Sequence, residues 1–306
     1  MRFALTILGI NAAAPAYGRH PSAQVLQVHN RHYLIDCGEG TQMRMSDFNI
    51  PRHKINQVFI SHLHGDHVFG LPGLLFSFSL MDRKAPLHLY SPAGLREMIL
   101  AQLTPSGALS YPLHFHEVNT ASTSIIFEDP LLSVTAIPLR HRIPTIGFLF
   151  REKPRPLNII PEKIETYHLT IEQIKAAKAG EDITLSDGRT IPNMELTLSP
   201  PPPRSYAYMS DTMFDESVVP HIHNTDLLFH ETTFCEDHAD NATLTHHSTA
   251  RQAALIAKAA NVRTLITGHY SSRYPDVQPF LDEARAVFPN SVAGEEGRVY
   301  EVPIGA

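Results

Sequence analysis

Residues 61–67 read SHLHGDH and follow directly on the apolar run NQVFI. Within them His62, His64, Asp66 and His67 form the pattern H-x-H-x-D-H. Imidazole and carboxylate are the preferred ligands of zinc and related divalent cations. On a loop leaving a strand, the alternate residues His62 and His64 point the same way, and Gly65 permits a turn that brings Asp66 and His67 to a second position nearby. One ion held by four ligands would be closed and structural, whereas a pair of ions needs more ligands and leaves positions for water. Three more candidates stand where strand-like runs end: His141 after LSVTAIPLR, Asp211 closing YAYMSD and His269 closing RTLITGH. Strand ends are where loops assemble sites on a rigid scaffold. The other His-x-His pairs, His114/His116 in LHFHE and His221/His223 in PHIHN, are not followed by an acid and a further histidine in the same frame. In a chain with 19 histidines they are read as incidental.

Elements able to present such residues recur along the chain. FALTILG, AQVLQV, HYLIDC, NQVFIS, LHLYS, LSVTAI, IGFLF, YAYMS, DLLFHE and RTLITGH have the composition and bounding residues of strands. LPGLLFSFSLM, AGLREMILAQL, TARQAALIAKAA and VQPFLDEARAVF have helical spacing. This alternation predicts an α/β protein of stacked layers. Residues 152–204 break the rhythm with one expected helix at about 161–179, a hairpin-like ITLSDGRTI turning at Asp187-Gly188, and a stiff Pro200–Pro203 run. They read as an arm inserted in a single domain spanning 1–306.

Composition narrows the classes. At 306 residues the chain can bury a substantial core. A formal net charge of −6 argues against a generally basic nucleic-acid-binding coat but leaves room for a local site. No apolar run approaches the roughly 20 residues that span a bilayer. The N-terminal MRFALTILGINAAAPAYG has a faint signal-peptide character, but its basic segment is thin and FALTILG reads equally as a first core strand. Cys37 and Cys235 have no ligand spacing and are expected to be free buried thiols, which favours a cytoplasmic location.

The H-x-H-x-D-H motif with distant His, Asp and His residues resembles the signature of the metallo-β-lactamase fold. That resemblance implies a four-layer αββα sandwich, here with an inserted flexible arm. Further motifs resemble one branch of it, the ribonuclease Z family of tRNA 3′-processing endonucleases: LIDCGEGTQ (34–42), FISHLHGDHVFGLPGLL (59–75), HETTF (230–234) and HSTA (247–250). The resemblance implies two Zn2+ ions per subunit, with Mn2+ or another divalent ion as substitutes. His62, His64 and His141 would hold one, Asp66, His67 and His269 the other, and Asp211 would bridge. It further implies Asp66 as proton acceptor, precursor tRNA as substrate, a homodimer, and an arm over 152–204 that clamps the tRNA elbow. Cleavage leaving a 3′-hydroxyl requires protonation of the departing O3′. His247 suits that task, with Glu231 holding its imidazole in the acid form, and position within HSTA favours it over His246.

The chain also departs from that family. Where the branch carries a glycine-rich P-x-K-x-R-N loop, this chain reads LGINAAAPAYGRH (8–20): Pro15 and Arg19 match, while Asn11, Tyr17 and His20 replace glycine, lysine and asparagine. Tyr17 is open to base stacking or to plain packing. The arm lacks a glycine-rich tip, and its acids and bases nearly balance. Competing expectations are a small-molecule phosphodiesterase or arylsulfatase on the same fold and a catalytically silent tRNA-binding protein.

Overall fold

The computed structural model describes residues 2–103 and 107–305. The chain runs through β1 (Phe3–Gly9), β2 (Ala23–Val28), β3 (Arg31–Ile35), α1 (Thr41–Asp47), β4 (Ile55–Phe59), α2 (Gly65–Val68), α3 (Leu71–Leu80), β5 (Leu87–Ser91), α4 (Leu95–Leu103) and β6 (Leu113–Glu117). β7 (Ser124–Glu128), β8 (Leu132–Leu139) and β9 (Thr145–Glu152) follow. Next come β10 (Asn158–Ile159), α5 (Pro161–Tyr167), α6 (Ile171–Ala179), β11 (Ile183–Thr184), β12 (Thr190–Ile191), α7 (Asn193–Leu196) and β13 (Thr197–Leu198). The last part holds β14 (Ser205–Met209), β15 (Leu227–Glu231), α8 (Ala239–Thr245), α9 (Ala250–Ala259), β16 (Thr264–Gly268), α10 (Gln278–Val287), β17 (Ser291–Ala293) and β18 (Val299–Glu301).

Two compact units emerge: one from residues up to Arg151 together with Arg204–Pro303, the other centred on Glu152–Pro203. In the first, two seven-stranded sheets run in the orders β18-β1-β2-β3-β4-β5-β6 and β17-β16-β15-β14-β9-β8-β7. Strands buried on both faces carry apolar residues at odd and even positions alike, and the central strands do so. In β2 and β3, Leu26, Val28, Tyr33 and Ile35 enter a core shared with Phe148, Tyr208 and Phe229 of the second sheet. Their neighbours Val25 and Leu34 enter a second core with Leu71, Leu74, Leu75 and Ile99 of α3 and α4. On the far side, Ala207, Met209, Leu228 and Leu265 pack against Ala254, Ala257 and Ala284 of α9 and α10. Helices therefore cover both outer faces of two stacked sheets, the αββα order expected. FALTILG forms β1, paired with β2 and β18. No helix among the described residues is long and apolar enough to cross a membrane.

The parallel ladders decide where a site can form. β3, β4 and β5 run parallel, as do β14, β15, β16 and β17. The carboxyl ends of parallel strands open into loops, the usual seat of function in such sheets. His62, Asp211, Glu231 and His269 all stand at such ends.

The arm unit has a small core of its own, built from Leu169, Ala177, Ile183, Ile191 and Leu196. One helix at 161–179 is corrected to two. His168 adopts the left-handed conformation (φ 51°) and ends α5. Thr170 then starts α6 with a capping box, its side chain accepting from Gln173 N–H while Gln173 reaches back. Helical spacing continues through residues 168–170, so periodicity alone does not reveal the break. ITLSDGRTI forms the two-stranded β11–β12 pair, with Gly188 at φ 85° in its turn.

Candidate metal centre and active site

Five imidazoles and two carboxylates converge at the mouths of these loops. His62 Nε2 lies 3.0 Å from His64 Nδ1, and His141 Nε2 lies 3.3 Å from the same atom. Asp211 Oδ2 closes this group at 3.5 Å from His62 Nε2 and 3.6 Å from His141 Nε2. A second group has His67 Nε2 and His269 Nε2 3.3 Å apart, each 3.5 Å from Asp66 Oδ2. Asp211 Oδ1 lies 3.3 and 3.2 Å from those two nitrogens. Ligands about 2.0–2.1 Å from a tetrahedral ion stand about 3.3 Å from one another. Both groups meet that spacing, and Asp211 offers one oxygen to each. The donors thus fit a pair of divalent cations with a shared carboxylate.

The outward nitrogens are anchored. His62 Nδ1 lies 3.0 Å from Ser61 Oγ, His67 Nδ1 2.7 Å from Asp36 Oδ2, His141 Nδ1 2.9 Å from the His246 carbonyl, and His269 Nδ1 2.9 Å from Thr233 Oγ1. Each anchor fixes its ring so that Nε2 faces inward, as metal-holding histidines require. None of these four supports was singled out from the sequence. Asp36 had a signal, being the acid of LIDCGEG at the end of β3. It also accepts from Ser61 N–H (2.7 Å), Ser61 Oγ (2.8 Å) and the Tyr208 hydroxyl (2.7 Å). The His246 carbonyl had none, because a backbone group carries no residue-type signature.

Burial disfavours charge on these imidazoles. It pushes His141 down to about 4, and it lowers His62 and His64 with help from neighbouring rings. Their lone pairs are therefore free at neutral pH. At His67 burial again opposes charge, but Asp211, Asp66 and Asp36 outweigh it and raise the group well above its ordinary value. This corner of the site favours positive charge, and protons and divalent cations compete for it. Burial works against ionisation of Asp66 and Asp211 too, yet the surrounding imidazoles hold both carboxyls below the usual range.

Local sequence explains how the loops come this close. A Cβ on Gly38 would stand 2.4 Å from the Asp66 carbonyl oxygen, so only glycine lets LIDCGEG pass under the H-x-H-x-D-H turn. Asp66 Oδ2 also accepts 2.7 Å from the backbone N–H of Ala13, a residue at φ 61° in the loop after β1.

His247 sits beside the cage, its ring centroid 5.0 Å from that of His141 and 5.5 Å from that of His269. Its Nδ1 lies 2.8 Å from Glu231 Oε1. Glu231 is fully buried and held by Thr212 N–H (3.1 Å), Ser248 N–H (3.0 Å), Thr233 N–H (2.9 Å) and Thr233 Oγ1 (2.7 Å). Burial opposes charge on His247, but Glu231 outweighs it and pushes the imidazole up to about 9. His246 takes the left-handed conformation that ends α8, and Thr249 caps α9, so HSTA is a short link between helices that presents His247. His247 Nε2 or Nδ1 also falls within reach of Asp211 and His269 as a third possible donor group. The side chains of His114/His116 and His221/His223 take no part in these groups. Tyr17 lies elsewhere on the Ala13 loop at φ 53°, 60% exposed, with the Arg19 guanidinium 5.3 Å from its ring centre.

Comparison with known proteins now adds identity to geometry. A family model described as anti-Pycsar protein Apyc1 matches residues 3–136. That span holds the H-x-H-x-D-H motif but ends before His141. Curated proteins named ribonuclease Z from Bacteroides fragilis and Cytophaga hutchinsonii are 44% and 43% identical to this chain, covering 96% and 99% of it and 97% of each relative. Among solved structures, the short form of human tRNase Z matches with a TM-score of 0.72 at 28% identity, over 98% of this chain and 100% of that one. A metallo-beta-lactamase fold protein from Bacillus subtilis, YhfI, matches with a TM-score of 0.70 at 19% identity, over 99% of this chain and 100% of that one.

Proposed function

This chain belongs to the ribonuclease Z family, and from that membership we propose that it is a metal-dependent endoribonuclease that removes 3′ trailers from precursor tRNA and leaves a 3′-hydroxyl. His62, His64 and His141 would hold one divalent cation, and Asp66, His67 and His269 a second, with Asp211 serving both. When bound, such a pair supplies Lewis acidity to the phosphodiester and lowers the pKa of water toward neutrality. We take zinc as the resident metal.

The chain's own groups do the rest. Asp66 orients the attacking water and takes its proton, its carboxylate fixed by Ala13 N–H and kept ionised by His67 and His269. His247 gives a proton to the departing O3′, and Glu231 keeps that proton on the imidazole before the step. Holding the proton suits His247 to act as an acid; unlike His67, whose charge is favoured first by the cage carboxylates Asp211 and Asp66, it owes that proton first to Glu231, which is no part of either donor group. Nothing in this scheme requires a 2′-hydroxyl nucleophile, so simple phosphodiesters should react slowly as well.

The observation that carries the reading is the joint presence of two donor cages sharing Asp211 and a separate, carboxylate-backed His247. A homodimer fits the family, and Leu80 and Met81, both exposed at the end of α3, offer apolar surface for one. Two free, buried cysteines support work in a reducing cytoplasm. The arm over 152–204 is proposed to bind tRNA. The test is incubation of purified protein with a trailer-bearing precursor tRNA, with and without chelator. A single metal-dependent cut giving a 3′-hydroxyl supports the proposal. Hydrolysis of small diesters with no precursor cleavage would replace it with the small-molecule reading, and binding without cleavage would favour the silent tRNA-binding protein.

A further inference from the structure

The cavity above the donor groups encloses about 460 Å³ and takes in Ala13, Asp66, Phe69, Arg142 and His247 among its walls. Phe69 is the anomaly there. It is 66% exposed, although most phenylalanines of this chain are buried in its cores. It stands at the rim of a polar, charge-lined cavity, so the outer face of its ring is open to a ligand that enters there. Its placement is also constrained. A Cβ on Gly65 would fall 2.2, 2.6 and 2.7 Å from three atoms of the Phe69 ring. The ring therefore rests directly on the glycine backbone, one residue from Asp66, and any side chain at 65 would displace it.

Unpaired nucleotides around a scissile phosphate carry free base faces, and single-stranded RNA is commonly held by stacking such faces on aromatic side chains. The acid–base assignment says which base is meant. His247 delivers its proton to the O3′ of the last retained nucleotide, so that nucleotide lies on the His247 side. Phe69 lines the same cavity from its seat on Gly65, next to Asp66, which leaves it to the nucleotide beyond the scissile phosphate.

We propose that Phe69 is a stacking platform for the base of the first trailer nucleotide and thereby positions the scissile phosphate over Asp66. The proposal rests on the ribonuclease reading above. It is tested by a double-mutant cycle between protein and RNA: wild type, Phe69→Ala and Phe69→Trp are each assayed on a precursor tRNA and on the same precursor abasic at the first trailer position. Stacking predicts that Phe69→Ala lowers kcat/KM on the intact precursor about tenfold or more, and that Phe69→Trp retains most of the rate. The abasic precursor should slow the wild type by a similar factor, with Phe69→Ala adding little further loss. Equal slowing of both precursors by Phe69→Ala, or no slowing of the intact one, overturns the proposal. If the wild type cleaves neither precursor, the ribonuclease reading itself has failed, which is a different result from an additive cycle.

Discussion

At the scale of single residues, the site separates histidines that burial strips of protons from two whose charge carboxylates favour, His67 inside the cage and His247 beside it. Burial leaves His62 and His141 neutral, whereas Glu231 holds a proton on His247. Substituting His247→Ala should therefore leave metal content unchanged in elemental analysis and reduce trailer cleavage by about 10²–10⁴-fold, the usual worth of a general acid. Loss of metal together with activity would make His247 a ligand instead. Asp36 works one step behind the cage, fixing His67 through Nδ1. Asp36→Asn keeps the shape but removes the charge, and should weaken metal binding about 10–100-fold in a chelator-competition titration. An unchanged affinity would mean that ring packing alone orients His67.

At the scale of elements, the strands explain both what was legible and what was not. Strand β3 carries His32, 5% exposed, and burial, reinforced by Lys54, pushes its imidazole down to about 4. The unfolded chain takes up this proton near pH 6.5 while the folded chain refuses it until about 4. Stability should thus fall as pH drops through that window. A His32→Gln variant should lose less melting temperature than wild type between pH 7 and pH 5, and an identical loss would show that His32 carries the same charge in the folded and unfolded states.

Of the seven proposed metal ligands, His141, Asp211 and His269 were legible just past strand ends, and His62, His64, Asp66 and His67 by their density in the loop after β4 and the short α2 that follows it. The central strands were legible because burial on both faces leaves continuous apolar runs. Edge strands were harder. β6 reads as a histidine pair, LHFHE, and β17 and β18 are three residues each, too short to show a period. The two-helix arm was hidden because its break uses His168 in a left-handed conformation without glycine. The supports of the cage were hidden for another reason: Ser61, Thr233 and the His246 carbonyl are ordinary groups made specific only by contacts distant in sequence.

At the scale of the whole molecule, the account divides labour between a catalytic unit and an arm with its own small core. Asn158 pairs with Leu198 across β10 and β13, so the base of the arm brings its two ends together. Replacing residues 156–198 by a short Gly-Ser link should cripple precursor tRNA cleavage while sparing a small phosphodiester substrate. Equal loss on both would show that the arm supports the fold rather than the substrate. The central claim is nonetheless the pair of cations sharing Asp211. Elemental analysis of the purified protein, run with the cleavage assay as the metal is removed and restored, tests it most directly. The account predicts two divalent ions per chain and activity that falls and returns with them; one ion or none in a fully active enzyme would contradict it.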